Sequence, residues 1–163
     1  MTALLAQRLV DAWQQCQGHQ HHINYALSGI QQQLSMTAIS VTAPDDEAVQ
    51  DWDQFILRFT KLQDAMGNRL FTALIEYLLE SAADQPMIDK LNRLEKLGYV
   101  ERAETWKVLR SIRNRFTHDY PDDDALRAAA LNEAVGAAKV LGSMLSVIKP
   151  LVDRARTDSG VTG

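Results

Sequence analysis

An imidazole, two guanidiniums, a carboxamide and a phenol fall within the eight residues Arg113-Asn114-Arg115-Phe116-Thr117-His118-Asp119-Tyr120, closed by Pro121. From Val100 to His118 the cations Arg102, Lys107, Arg110, Arg113 and Arg115 outnumber Glu101 and Glu104 by three charges, and Asp119, Asp122, Asp123 and Asp124 follow at once. A basic island beside an acidic lip suits an anionic ligand of limited extent. The ordinary reading of such groups is modest. Arginines near a helix end interact with its dipole or with solvent, and a lone histidine near a turn is usually a surface residue. Arg-x4-His alone arises often by chance, whereas Arg-Asn-x3-His-x-Tyr is a four-point pattern.

The chemistry that fits these groups is metal-free RNA cleavage. One group must take the 2′-hydroxyl proton, another must protonate the leaving 5′-oxygen, and a cation must stabilise the phosphorane between them. Imidazole titrates near neutrality, so His118 can serve either proton-transfer role. Arg113 offers a planar fork of donors to phosphoryl oxygens. Asn114 can orient Arg113 or hold a phosphate, and Arg110 and Arg115 can position the backbone without reading its sequence. On an ideal helix Arg113 and Tyr120 lie about 20° apart, but Arg113 and His118 diverge by about 140°. Convergence therefore needs either a helix that ends near Thr117 or a second chain that brings its own motif. Acid plus base also calls for two imidazoles, which a symmetric dimer would supply.

The elements that must position the motif read as helices. Leu4, Leu5, Leu9, Ala12, Trp13 and Cys16 recur at three- and four-residue spacing, and Ile23, Ala26, Leu27, Ile30 and Leu34 resume the pattern past Gly18. This predicts one long or kinked helix from about Thr2 to Leu34, with any break near Gly18. His19 and His22 share a face there, but no acidic or cysteine ligand lies near them in sequence, so no metal site is expected. Ser35 to Pro44 is β-branched but has no partner strand, and is expected as a loop. Asp45, Asp46 and Glu47 then mark the start of a long helix carrying Val49, Trp52, Phe55, Ile56, Phe59, Leu62, Met66, Leu70, Leu74, Tyr77 and Leu78. Gly67 would let a neighbouring helix come close. The segment from Ser81 to Pro86 ends this helix.

Met87, Leu91, Leu94 and Leu97 predict a short helix capped at Gly98. The run from Leu91 to Arg102 could pass for a recognition helix entering a wing. A wing requires a hairpin, however, and Trp106, Leu109, Ile112 and Phe116 continue at helical spacing instead. A fourth helix from about Glu101 to Thr117 therefore delivers the motif at its C-terminal end, with a turn at Tyr120-Pro121. Asp122 to Asp124 open a last helix whose stripe is Leu126, Ala130, Ala134, Ala137, Leu141, Leu145, Ile148 and Val152, kinked near Pro150. The result is an all-α, antiparallel helical bundle of about four long helices plus a short inserted one. Its single domain spans 1–156, followed by a flexible tail, 157–163.

The Arg-Asn-x3-His-x-Tyr pattern near the end of a helix in an all-α chain resembles the HEPN superfamily, specifically the HepT-like toxins. The resemblance rests on Arg113, Asn114, His118 and Tyr120 and extends over the long first two helices, the short linker helix, the motif helix and the final helix. It implies a homodimeric ribonuclease toxin with Arg113 and His118 as catalytic residues, encoded beside a minimal nucleotidyltransferase antitoxin. It also implies that this partner transfers AMP from ATP onto Tyr120. Some proteins of this fold instead serve as non-catalytic nucleotide- or partner-binding subunits of nucleotidyltransferases, and the same basic pocket would then hold a nucleotide phosphate.

Composition sets the outer limits. The chain has 163 residues, 46% hydrophobic and 23% charged, with net charge −4, which disfavours broad coating of nucleic acid or membrane. Cys16 is the only cysteine, so no internal disulfide is possible and a reducing cytoplasm is expected. The N-terminal residues lack the charge and apolar run of a signal peptide, and no membrane span is expected, since the longest apolar stretch, Gly136 to Ile148, carries Lys139. No cofactor is called for.

Overall fold

The computed structural model describes residues 2–30, 45–79, 84–118 and 123–160, with the backbone alone at 117 and 118. The described residues form helices α1 (Thr2–Gly29), α2 (Asp46–Ala65), α3 (Phe71–Leu79), α4 (Met87–Lys96), α5 (Ala103–His118) and α6 (Asp124–Ser159). A π-helical turn, Met66–Leu70, joins α2 to α3, so these run as one uninterrupted rod and the bundle has five helical pieces. No strand occurs among the described residues, which excludes the wing there. The expected loop at Ser35 to Pro44, the end of α1 beyond residue 30, the connection 80–83 and Tyr120 lie outside the described residues.

Cross-helix contacts fix the directions. Along the first pair, His19 meets Arg58, Gln15 meets Arg69 and Arg8 meets Glu76, so the α2–α3 rod runs antiparallel to α1. Arg113 meets Asp64 while Trp106 meets Gly67 and Phe71, so α5 runs antiparallel to that rod in turn. Arg115 meets Glu133, while Thr105 shares a cleft with Val140 and Val147, which reverses the direction again at α6. Four long pieces thus alternate up and down, with α4 inserted between α3 and α5.

Local chemistry explains the boundaries. The Asp45 carboxylate accepts from the Ala48 amide at 2.7 Å and the Asp123 carboxylate from the Leu126 amide at 2.9 Å, each satisfying a donor that a helix start leaves unpaired. Gly98 adopts φ +83°, and the Tyr99 amide reaches back to the Leu94 carbonyl, closing α4 in the way its sequence predicts. Glu95 then accepts from the Ala103 amide at 2.9 Å, so the end of α4 caps the start of α5.

Phe55, Phe59, Leu62, Met66, Leu70, Phe71 and Leu74 are fully buried at the centre, against Leu9, Trp13 and Cys16 of α1 and Leu141, Leu145 and Ile148 of α6. Burying side chains of this size stabilises the fold by about 1.5–3 kcal/mol each, before the entropy of ordering them is counted.

Of the two forms the spacing allows for α1, one long helix or a kinked one, the structure has the first: it passes through Gly18 without a break, because Cys16, Ile23 and Ala26 keep burying one face while Gly18 itself meets open space. Two other expectations change. Leu126 is 62% exposed rather than buried, because the stripe of α6 is centred on Leu131, Ala134, Leu141, Leu145 and Ile148, and Leu126 falls to one side of it. Helix α6 continues past 156 to Ser159 and ends at Gly160 with φ +74°; Asp158, expected in a flexible tail, accepts a hydrogen bond from the Tyr77 hydroxyl. Pro150 sits inside α6 without ending it. By length and composition α6 could also cross a membrane, contrary to the sequence expectation, although 44% of its most apolar window is buried within the bundle.

Candidate phosphate-binding groove

Helix α5 carries two faces with different jobs. Trp106, Arg110 and Arg113 recur at i, i+4 and i+7 and line one stripe against the α2–α3 rod. Trp106 is buried there, its ring edge-on to Phe71 with centroids 4.9 Å apart. A β-carbon placed on Gly67 would lie 3.0 Å from the Trp106 ring, so the glycine permits the close approach that the sequence suggests. Between α5, the rod and the start of α4 lies a groove of about 340 Å³, lined by Gln63, Asp64, Gly67, Asn68, Met87, Trp106, Arg110 and Arg113.

At its rim Arg113 donates through Nη1 to the Asp64 carboxylate. The guanidinium is half-buried, with 23% of its side chain exposed, so the fork is held in a fixed orientation. Arg110, one turn earlier, is exposed and makes no ion pair among the described residues. The two cations and one carboxylate leave the groove with a net positive charge, as a phosphate site requires. Asn114 is half-buried beside Arg113 on the next position of the helix.

Arg115 belongs elsewhere. It points to α6, where it pairs with Glu133, so the structure brings together Arg110 and Arg113 and separates Arg115 from them. The α5 backbone is helical through His118, one residue past the expected end near Thr117, and the turn expected at Tyr120-Pro121 lies outside the described residues. Positions 113 and 118 therefore stand about 140° apart around the axis. The His118 side chain and Tyr120 lie outside the described residues.

Sequence reasoning missed Asp64, Gln63 and Asn68. Asp64 left no signal, because its role depends on where α5 crosses. Gln63 did leave one: it follows Phe59 by four residues and precedes Met66 by three, a polar residue on an apolar stripe. It is only 2% exposed, and neither its oxygen nor its nitrogen has a hydrogen-bond partner among the described residues. Leaving such a group unpaired costs about 1–3 kcal/mol.

The histidine cluster has its own explanation. Arg58 donates to His19 Nδ1 at 3.1 Å, and since a guanidinium can only donate, that nitrogen must be unprotonated. Burial, then Arg58, Lys61 and His22, hold the His19 pKa below its ordinary value, in keeping with a neutral ring. Among the described residues no three His, Cys, Asp or Glu side chains converge as metal ligands do.

Compared with family models, curated proteins and solved structures, the chain matches none.

Proposed function

We propose that the chain is a metal-independent endoribonuclease of the HEPN type, the toxin of a toxin–antitoxin pair, acting in the cytoplasm. The observation that carries this reading is a clamped guanidinium at a cationic groove: Arg113 fixed by Asp64, with Arg110 one turn away. In this reaction the ribose 2′-oxygen gives up its proton to one imidazole and attacks phosphorus. The 5′-oxygen leaves with a proton from a second imidazole, giving a 2′,3′-cyclic phosphate and a 5′-hydroxyl. Arg113 stabilises the charge that gathers on the phosphoryl oxygens in between. Because α5 is helical through position 118, the second route to convergence is favoured: two protomers of a homodimer, each contributing Arg113 and His118. Control follows by transfer of AMP onto Tyr120 by a partner nucleotidyltransferase, which places a phosphate and a nucleoside beside the motif arginines and excludes RNA by charge and volume.

The alternative is a non-catalytic nucleotide- or partner-binding subunit of a nucleotidyltransferase. It is favoured by the pairing of Arg115 with Glu133, which takes one of the motif's two arginines away from a polyanion.

The deciding experiment is RNA cleavage in EDTA. The wild type should leave 2′,3′-cyclic ends, and Arg113→Ala and His118→Ala should each reduce cleavage at least 100-fold with unchanged helicity. Cleavage that survives both substitutions would remove the motif from the chemistry, and none by the free protein would favour the binding subunit. With ATP and the partner enzyme, intact mass should show AMP adducts on wild type and none on Tyr120→Phe.

A further inference from the structure

The groove beside Arg113 shares a wall with a second hollow. Asn68, in the π turn, lines both the groove and a cleft of about 170 Å³ between the rod and α1, which Arg8, Asp11, Arg69, Thr72 and Glu76 also line. Helix α4 borders the two: Met87 lines the groove, and Lys90, one turn on, donates to the Thr72 hydroxyl at 3.0 Å. Asn68 and Arg69 are adjacent and both exposed, so the way from one hollow to the other is open to solvent.

The cations along this path keep their charge. Arg69 donates to the Gln15 carboxamide at 2.6 Å and Lys90 to a hydroxyl, neutral partners that orient a cation without cancelling it. Neither they nor Arg110 make an ion pair among the described residues. Arg113 and Arg8 are paired, with Asp64 and Glu76. Five cations, Arg8, Arg69, Lys90, Arg110 and Arg113, thus stand with three carboxylates, Asp11, Asp64 and Glu76, on a chain whose net charge is −4. A local positive excess on an acidic protein draws a polyanion to one place. Neighbouring helices pack about 8–10 Å apart, so crossing the rod from α5 to α1 covers about 16–20 Å, more than one phosphate spans. The aromatic ring that lines the groove, Trp106, is buried, which leaves the phosphates rather than the bases as the groups to hold.

We infer that an RNA strand held at Arg113 continues across the π turn towards α1, with its flanking phosphates contacted by Arg69 and Lys90. The inference rests on the reading of Arg113 as a phosphate-holding group. It gives the rod and α4 a sequence-independent hold on single-stranded RNA, separate from the chemistry of the motif helix.

The probes are fully 2′-O-methylated oligonucleotides of two and eight nucleotides, which lack the attacking hydroxyl, titrated against the full chain at several salt concentrations. The octamer should bind at least 30-fold tighter than the dimer at low salt. Arg69→Gln and Lys90→Gln, which keep a hydrogen-bond donor and lose the charge, should each weaken the octamer at least 3-fold and leave the dimer unchanged. Each should also reduce the slope of log affinity against log salt by about 0.7, the amount for one phosphate contact on a single strand. Lys139→Gln, the same charge change at an exposed position of α6, should alter neither quantity. In cleavage of long RNA, Arg69→Gln and Lys90→Gln should raise KM and leave kcat unchanged. An octamer that binds no tighter than the dimer, or one as insensitive to Arg69→Gln and Lys90→Gln as to Lys139→Gln, overturns the path. Length-dependent binding that both variants weaken but Arg113→Ala does not keeps the surface and removes Arg113 as the phosphate holder. Cleavage that needs Arg113, with a KM untouched by Arg69→Gln and Lys90→Gln, keeps the nuclease and removes the path.

Discussion

Arg113 shows how one contact changes the meaning of a residue. Free in solution its guanidinium would be a mobile charge. Paired with Asp64 and half-buried it is an oriented fork, ordered by the fold itself. Cys16 shows the opposite outcome. It is fully buried, and burial pushes its thiol up to about 12, with Arg69 opposing only weakly, so it is no nucleophile. The sign of its pH effect follows. Between the ordinary value of 9.0 and about 12 the unfolded chain releases the thiol proton while the folded chain keeps it, so stability falls as pH rises through that window. Thermal melts should therefore drop over this range, and Cys16→Ala should flatten the decline. An identical slope in the variant would assign the alkaline loss to other groups, of which Tyr77, also raised to about 12 by burial and its bond to Asp158, is the first candidate.

At the scale of elements, the site depends on the crossing of α5 with the rod made by α2, the π turn and α3. At the π turn Leu70 and Phe71 are both fully buried while Gly67 faces Trp106. Alanine at 67 would gain about 1 kcal/mol of helix propensity. It would also push a methyl against a ring already wedged on Phe71, and overpacking of this kind costs about 1–3 kcal/mol. Trp106 has little room to yield, so Gly67→Ala should destabilise the protein by about 1 kcal/mol in urea titrations and weaken phosphate binding, since α5 carries Arg110 and Arg113. A more stable variant with unchanged binding would mean that the crossing is slack.

For the whole molecule, the up-and-down bundle leaves α5 with one face on the rod, one on α6 and one to solvent. The solvent face carries Val108, 59% exposed, on the same helix as the motif. If two motifs must meet, this face is where a second copy would sit. Light scattering at micromolar concentration should give a species of twice the 18.3 kDa chain mass, and Val108→Glu should shift it towards the monomer with loss of RNA cleavage. A monomeric wild type that still cuts RNA would end the composite-site mechanism.

The periodicity of apolar residues was enough to read the helices, since burying one face of a helix imposes a 3.6-residue spacing on any sequence that folds that way. Caps were equally legible: Asp45 and Gly98 act through their own backbones, over three or four residues, and so appear in sequence order. The cationic motif was visible for the same reason, as Arg110, Arg113 and Asn114 lie on consecutive turns of one helix. What no local pattern held was its counterpart. Asp64 and Gln63 stand about fifty residues earlier, and only the antiparallel packing of α5 on the rod brings them to the groove. Arg115 looked equivalent to Arg113 on paper. Two residues turn a helix by about 200°, and that rotation gave one arginine to the groove and the other to Glu133.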